Sequence, residues 1–272
     1  MDMPPNITNR TALTRNRNRA LPDALFLHDV VADELQERLI EVNRTFTNVA
    51  IVTGFPHFWA VKYPNAKIID DDDTLALEVG QYDLILHTLA LHWANDPVGQ
   101  LVQCRRALKP DGLFLAASFG GQTLHELRTS LAEAEIMVSG GLSPRIAPMG
   151  EIRDLGGLLQ RAGFALPVAD GIPLTVSYAN AFHLMHDLRK MGENNALSDR
   201  VGTFTPRNVL TEAATIYAEN FGTDDGQRVN ATFEIITLTG WAPADSQPKA
   251  LRPGSAKTRL ADALGTDETP LK

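Results

Sequence analysis

Residues 23–42, DALFLHDVVADELQERLIEV, carry Leu25, Val30, Leu35, Leu39 and Val42 at near-helical spacing with charges between them, which predicts one or two amphipathic helices. The pattern then changes to short apolar runs separated by turn residues. Residues 48–52 read as a first strand. Pro56 suits the first turn of a helix, where a missing N–H costs nothing, and Pro64 stops that helix about two turns later. KIID (67–70) is a short second strand, and YDLILHTLAL (82–91) reads as a fully buried strand with the turn after it. A helix over 97–108, a tight turn at KPDG (109–112) and a strand at LFLAASF (113–119) follow.

Strand and helix alternating through short connections specify a mostly parallel α/β sheet covered on both faces. Ligands in such sheets sit beyond the carboxyl ends of the strands, so the candidate rim is 54–58, 70–73, 87–93 and 119–121. Helices are predicted over 122–136 and 150–162, the latter ended by Gly163. Extended segments over 165–178 break around Gly-Ile-Pro, two helices cover 179–191 and 206–220, and a last strand runs over 232–241. This divides the chain into a poorly ordered basic arm (1–22), a domain (23–242, core 45–130 and C-terminal lobe 140–242) and a disordered polar tail (243–272).

Composition narrows the function. At 272 residues and 44% hydrophobic the chain can bury a sizeable core. A formal charge of −8 argues against a nucleic-acid partner, which needs a phosphate-neutralising surface. The one cysteine, Cys104, excludes an internal disulfide and implies a reducing compartment, read as the cytoplasm. No apolar stretch approaches the length of a membrane-spanning helix. The four acids Asp70–Asp73 lack the glycine and glutamate of a calcium loop, and His183 with His186 has no third ligand in sight, so no metal is expected.

Three stretches together, LHWANDP, LKPDG and FGGQTLHELR, resemble class I S-adenosylmethionine-dependent methyltransferases from the fourth strand to the fifth helix. The similar branch holds the malonyl-carrier-protein methyltransferase and the mitochondrial complex I assembly factor 5. GGLSPRIAPMGEIRDLGGLLQRAGF and FHLMHDLRKMGENN resemble the latter in particular. The resemblance implies a Rossmann-like sheet, S-adenosylmethionine as methyl donor, and a protein or carrier-protein side chain as acceptor, with a complex I subunit as partner and arginine as the modified residue. It places Gly54, Asp70, Asp71, His87 and Leu89 around the donor. His92 and Trp93, on the carboxyl-end rim, face the substrate or partner. Gly120, Gly121 and Thr123 open a helix whose free N–H groups either are satisfied locally or hold a substrate carboxylate.

The chain departs from this family at its front. The loop after the first strand reads TGFPHFW, in which Gly54 alone survives of a glycine-rich cradle and Pro56 has no N–H to offer. Only 31 residue steps separate Val52 from Asp83, room for one helix and one strand rather than two of each. One β-α unit is therefore expected to be missing. Asp70 matches the ribose-binding acid if KIID is the second strand. If it is the third, the alignment favoured here, Asp71 matches the acid that meets the adenine amino group, and no ribose acid remains. Two functions stay open: a methyltransferase acting on a protein side chain, and a non-catalytic assembly protein, a pseudoenzyme, that has lost the donor.

Overall fold

The computed structural model describes residues 6–248, 255 and 258–266. Its centre is a six-stranded sheet in the order β2-β1-β3-β4-β6-β5. The strands are β1 (Val49–Thr53), β2 (Lys67–Asp70), β3 (Tyr82–Thr88), β4 (Leu108–Phe119), β5 (Ala165–Tyr178) and β6 (Val229–Trp241). The first four run parallel, and their carboxyl ends lie in register, with Thr53 opposite both Asp70 and Thr88, and Thr88 opposite Ala117. β6 is antiparallel to β4, and β5 to β6.

The truncation expected from residue counting is visible at one edge. β2 pairs directly with β1 and has no strand outside it. In doubly wound sheets ordered 3-2-1-4-5 that is the position of the second strand. The favoured alignment of KIID with a third strand is thus corrected, and the missing unit is the one beyond β2.

Helices cover both faces: α2 (Phe26–Val42), α5 (His125–Ser139), α7 (Ala181–Met191) and α8 (Arg207–Phe221) bury Leu35, Leu131, Leu184 and Tyr217 in one cluster. α4 (Pro97–Ala107) and α6 (Ile152–Ala162) bury Leu101, Cys104 and Leu159 on the other. α3 (Pro56–Lys62) starts at Pro56, as expected, and buries Trp59 fully. α4 also starts on proline, with the Asp96 carboxylate capping Gly99 N–H at 2.8 Å.

Three expectations change. KPDG is not a free turn: β4 begins at Leu108, and Asp111, in the left-handed region at φ 62°, lets the chain kink while its N–H reaches Ala242 O at 3.1 Å. The Gly-Ile-Pro stretch does not break β5, because Gly171, Ile172 and Pro173 stay paired with Ile236, Ile235 and Glu234 on β6. The basic arm, expected to be poorly ordered, forms helix α1 (Arg10–Arg17), capped by Asn9, with Ala12 and Leu13 buried beside Trp93, Ala147 and Leu197. Backbone bonds tie it down from Asn9 N to Ala196 O at 2.7 Å and from Leu21 N to Lys190 O at 2.8 Å. Gly192 makes this docking feasible: it sits at φ 80°, and a Cβ there would lie 3.0 Å from Arg17 Cα. Of the tail, residues 260–264 form helix α9, and most of the rest lies outside the described residues.

Leu13→Ala should therefore destabilise the whole domain by about 2–3 kcal/mol in urea unfolding, the cost of emptying a packed site. An unchanged midpoint would mean that α1 does not belong to the cooperative core.

Candidate functional site

The carboxyl ends of β1, β2 and β3 form a rim, and α1 lies across it. Arg17, with 7% of its side chain exposed, reaches over the first loop and donates from Nη1 to both Asp71 oxygens at 2.8 and 2.9 Å. Arg10 adds bonds to Asp71 at 3.2 and 3.3 Å. Burial pushes the Asp71 carboxyl up, but the Arg17 charge and the Arg10 hydrogen bonds outweigh it and hold the group down at about 2. The guanidinium also lies 5.7 Å from the Phe55 ring centre.

Gly54 is where a donor would approach the backbone. A Cβ built on it would fall 2.1 Å from Arg17 Cζ, so the glycine leaves room for an arginine of the same chain. The Phe55 N–H is spent on Thr53 Oγ at 3.1 Å. S-adenosylmethionine therefore does not fit the cleft as arranged: the space over the loop is filled, and Asp71 is already paired. Asp70, in contrast, is exposed at the tip of β2 with no hydrogen-bond or ion-pair partner among the described residues.

His87 is fully buried in β3. The Gln100 amide donates to the Asp71 and Asp72 carbonyls at 3.1 and 2.9 Å, leaving its oxygen to accept from His87 Nε2 at 3.1 Å. His87 thus holds the acidic turn in place through Gln100, and burial pushes its pKa down. Leu89 is a core residue at φ 44°, a left-handed conformation disfavoured for leucine and stabilised by its N–H bond to Ala117 O at 2.8 Å.

His92 and Trp93 lie on a short 3-10 turn beyond β3, as the rim argument required. Trp93 Nε1 donates to Glu193 Oε2 at 2.8 Å, and His92 Nε2 lies 3.6 Å from that carboxylate. Glu193 follows α7 and was missed in the sequence; GENN was its only trace. Burial pushes its carboxyl up, but His92, Arg17 and Trp93 more than compensate and hold it below the usual range. Its other oxygen, Oε1, is buried and has no hydrogen-bond partner among the described residues. Beside it opens a cavity of about 140 Å³ walled by Leu27, Phe119, Leu127, Leu131, Met185 and Leu188, with Trp93 and Glu193 among the lining residues.

Gly120, Gly121 and Thr123 do not present an anion site. Their neighbourhood is satisfied locally: Gly120 N–H goes to Glu234 O at 2.8 Å, Gly121 N–H to Gly150 O at 3.2 Å, and Gln122 N–H to the Glu234 carboxylate at 2.9 Å. α5 starts only at His125, so of the two readings open for this turn the geometry matches the one in which its N–H groups are satisfied within the chain. Thr123 still contributes to the cavity wall. No cluster of three metal-capable side chains occurs among the described residues.

A mostly parallel sheet covered by helices on both faces is the architecture of a methyltransferase domain, and residues 21–116 match the family described as "Methyltransferase domain". The chain is 36% identical over 253 residues to "Arginine-hydroxylase NDUFAF5, mitochondrial" of Danio rerio, covering 93% of this chain and 72% of that one. It is 43% identical to the Dictyostelium discoideum protein of that name, covering 72% of this chain but 45% of the relative, so it spans under half of that protein's length. It is also 33% identical to the malonyl-[acyl-carrier protein] O-methyltransferase of Xylella fastidiosa, covering 71% and 61%. Among solved structures, the YcgJ protein of Bacillus subtilis aligns with 76% of this chain and 97% of its own at 12% identity and a TM-score of 0.48. The chain belongs to the class I methyltransferase family, in the branch of the NDUFAF5 arginine-hydroxylases and the malonyl-carrier-protein methyltransferases. The expected cytoplasmic location is corrected by five relatives named as mitochondrial proteins, which point to mitochondria instead.

His28 supplies a pH test of the packing over the loop. Its Nδ1 accepts from Trp59 Nε1 at 3.2 Å, and burial lowers its pKa to about 4. Between about 4 and 6.5 the unfolded chain holds a proton that the folded chain does not, so stability rises with pH across that window. Acidification through it should remove on the order of 3 kcal/mol from this group. His28→Gln, which keeps an acceptor for Trp59, should flatten the dependence in urea unfolding at successive pH values; an identical slope would contradict the burial argument.

Proposed function

We propose that the chain serves respiratory complex I assembly by taking an arginine side chain of a partner protein into the cavity beside Trp93, with the methyl-donor cleft closed by Arg17. The observation that carries this reading is Glu193: an ionised, nearly buried carboxylate with one oxygen unpaired among the described residues, in the wall of a mainly apolar cavity whose lining also includes Arg145. Such a group favours a cation that brings its own hydrogen-bond donors, and a guanidinium offers two in parallel. The apolar wall suits the methylene stem, and Trp93 and Phe119 suit the flat cationic head. The relatives' printed name, arginine-hydroxylase, supports arginine as the residue handled. Hydroxylation is then the modification favoured over methylation. It inserts one oxygen atom from dioxygen into a C–H bond, and the second oxygen atom leaves as water at the expense of two electrons and two protons from an external reductant. In the test below, cell extract supplies both dioxygen and reductant. The compartment is that of the mitochondrial relatives.

One observation favours a second reading. Asp70 stands unpaired at the tip of β2, where the ribose-binding acid of the family belongs, so withdrawal of Arg17 would leave part of a donor site. In that reading the chain is an S-adenosylmethionine-dependent methyltransferase in which α1 must move first.

The test uses a labelled peptide centred on arginine and its norleucine counterpart, followed by fluorescence anisotropy and by mass spectrometry after incubation in cell extract. The arginine peptide should bind more tightly, and Glu193→Gln, which keeps the acceptor for Trp93, should weaken it by at least about tenfold, the worth of one charge-assisted bond. A mass gain of one oxygen atom supports the first reading and of one methylene group the second. Equal binding of the two peptides would overturn the assignment of arginine.

A further inference from the structure

Next to the arginine cavity lies a second, larger cleft of about 540 Å³, lined by Arg15, Arg19, Arg145, Arg189 and Arg200 with no acidic residue in its described wall. In a chain with 33 acidic residues against 25 lysines and arginines, this gathering is unusual, and three separate parts of the fold build it. Arg15 and Arg19 come from α1 and its exit, Arg189 from the last turn of α7, and Arg145 and Arg200 from the segments after α5 and α7. Arg145 is engaged with Glu135 and Thr205, and Arg200 with the Leu197 carbonyl. Arg15, Arg19 and Arg189 are exposed, and their guanidinium groups have no partner among the described residues. Their guanidinium groups give the cleft a positive field that an anionic partner would complement.

We propose that this cleft docks an acidic segment of the partner protein, immediately beside the residue that enters the inner cavity. The inference rests on the reading that the inner cavity takes a side chain of a protein. The two spaces share walls: Leu131, Arg145, Met185, Asn194 and Asn195 line both. A polypeptide that inserts a residue past Met185 must lay its neighbours across the arginines. Carboxylates there meet planar forks that bind them bidentately, whereas basic neighbours are repelled. The position favours a peptide over a membrane, since the cleft shares Leu131, Arg145, Met185, Asn194 and Asn195 with the inner cavity. The overall negative charge disfavours a long nucleic acid, which would run from the cleft onto acidic surface.

The test compares short labelled peptides with aspartate, serine or lysine flanks, each with arginine or norleucine at the centre, at low and physiological salt. Aspartate flanks should bind about tenfold more tightly than serine flanks at low salt, as several partly screened ion pairs require. Lysine flanks should bind worse than serine. The aspartate advantage should vanish in the triple variant Arg15→Ser/Arg19→Ser/Arg189→Ser and persist in Glu193→Gln. Equal binding of all flanks to the wild-type protein would overturn the proposal without recourse to any variant. So would phosphatidylglycerol vesicles or single-stranded DNA that bind through the same three arginines while the aspartate peptides do not. An aspartate advantage that is the same for arginine and norleucine centres would leave the docking cleft standing and remove the arginine cavity reading instead.

Discussion

The ion pair between Arg17 and Asp71 organises the ligand edge of this protein. A carboxylate taken out of water at the end of a parallel sheet costs several kcal/mol unless opposite charge and hydrogen bonds replace its hydration. Asp71 receives both from α1, through two bonds from Arg17 and further bonds from Arg10. The main-chain carbonyls of its turn are held by Gln100, which His87 orients. Because Arg17 must cross over Gly54 to reach Asp71, satisfying this one buried acid also fills the cleft that a sulfonium donor would need. One contact thus both satisfies the buried acid and covers the first loop.

The same helix creates the cavity on the other side. With α1 seated, Ala12 and Leu13 pack on Trp93, and the backbone of residues 190–196 is pinned beneath Ile7–Leu21. That segment carries Glu193, whose carboxylate divides between Trp93 and an unpaired oxygen. On the proposed reading the scaffold is lopsided: Arg17 lies over the first loop, and Glu193 stands as a charged, desolvated anchor beside the second cavity. Fold membership alone does not say which chemistry such a site performs. The proposal of arginine rests on the carboxylate, its aromatic neighbours and the relatives' name, not on the sheet.

Much of the sheet was legible in the sequence because buried parallel strands are written as apolar runs. KIID and LFLAASF end where expected, the strand read over 48–52 ends one residue later, and the run 82–91 splits after Thr88 into strand and turn. The missing edge unit was legible by length, since 31 steps cannot hold two helices and two strands. What failed was long-range. Nothing near RTALTRNR announces a carboxylate 54 positions away, so a helix with two buried apolar residues read as a basic arm. Gly120, Gly121 and Thr123 left two readings open because the acceptor that takes the Gln122 N–H, Glu234, lies on a strand more than a hundred residues later. Glu193 was invisible for the same reason: its burial depends on the meeting of α1, α7 and the Leu-His-Trp turn.

Calorimetric titration of the whole protein with S-adenosylhomocysteine tests the closed cleft most directly. The account predicts no measurable heat of binding while the protein remains folded, with Arg17 holding its place over Gly54. Micromolar binding by the wild-type chain would show that the arginine does not close the cleft and would return the protein to the donor-using members of its family.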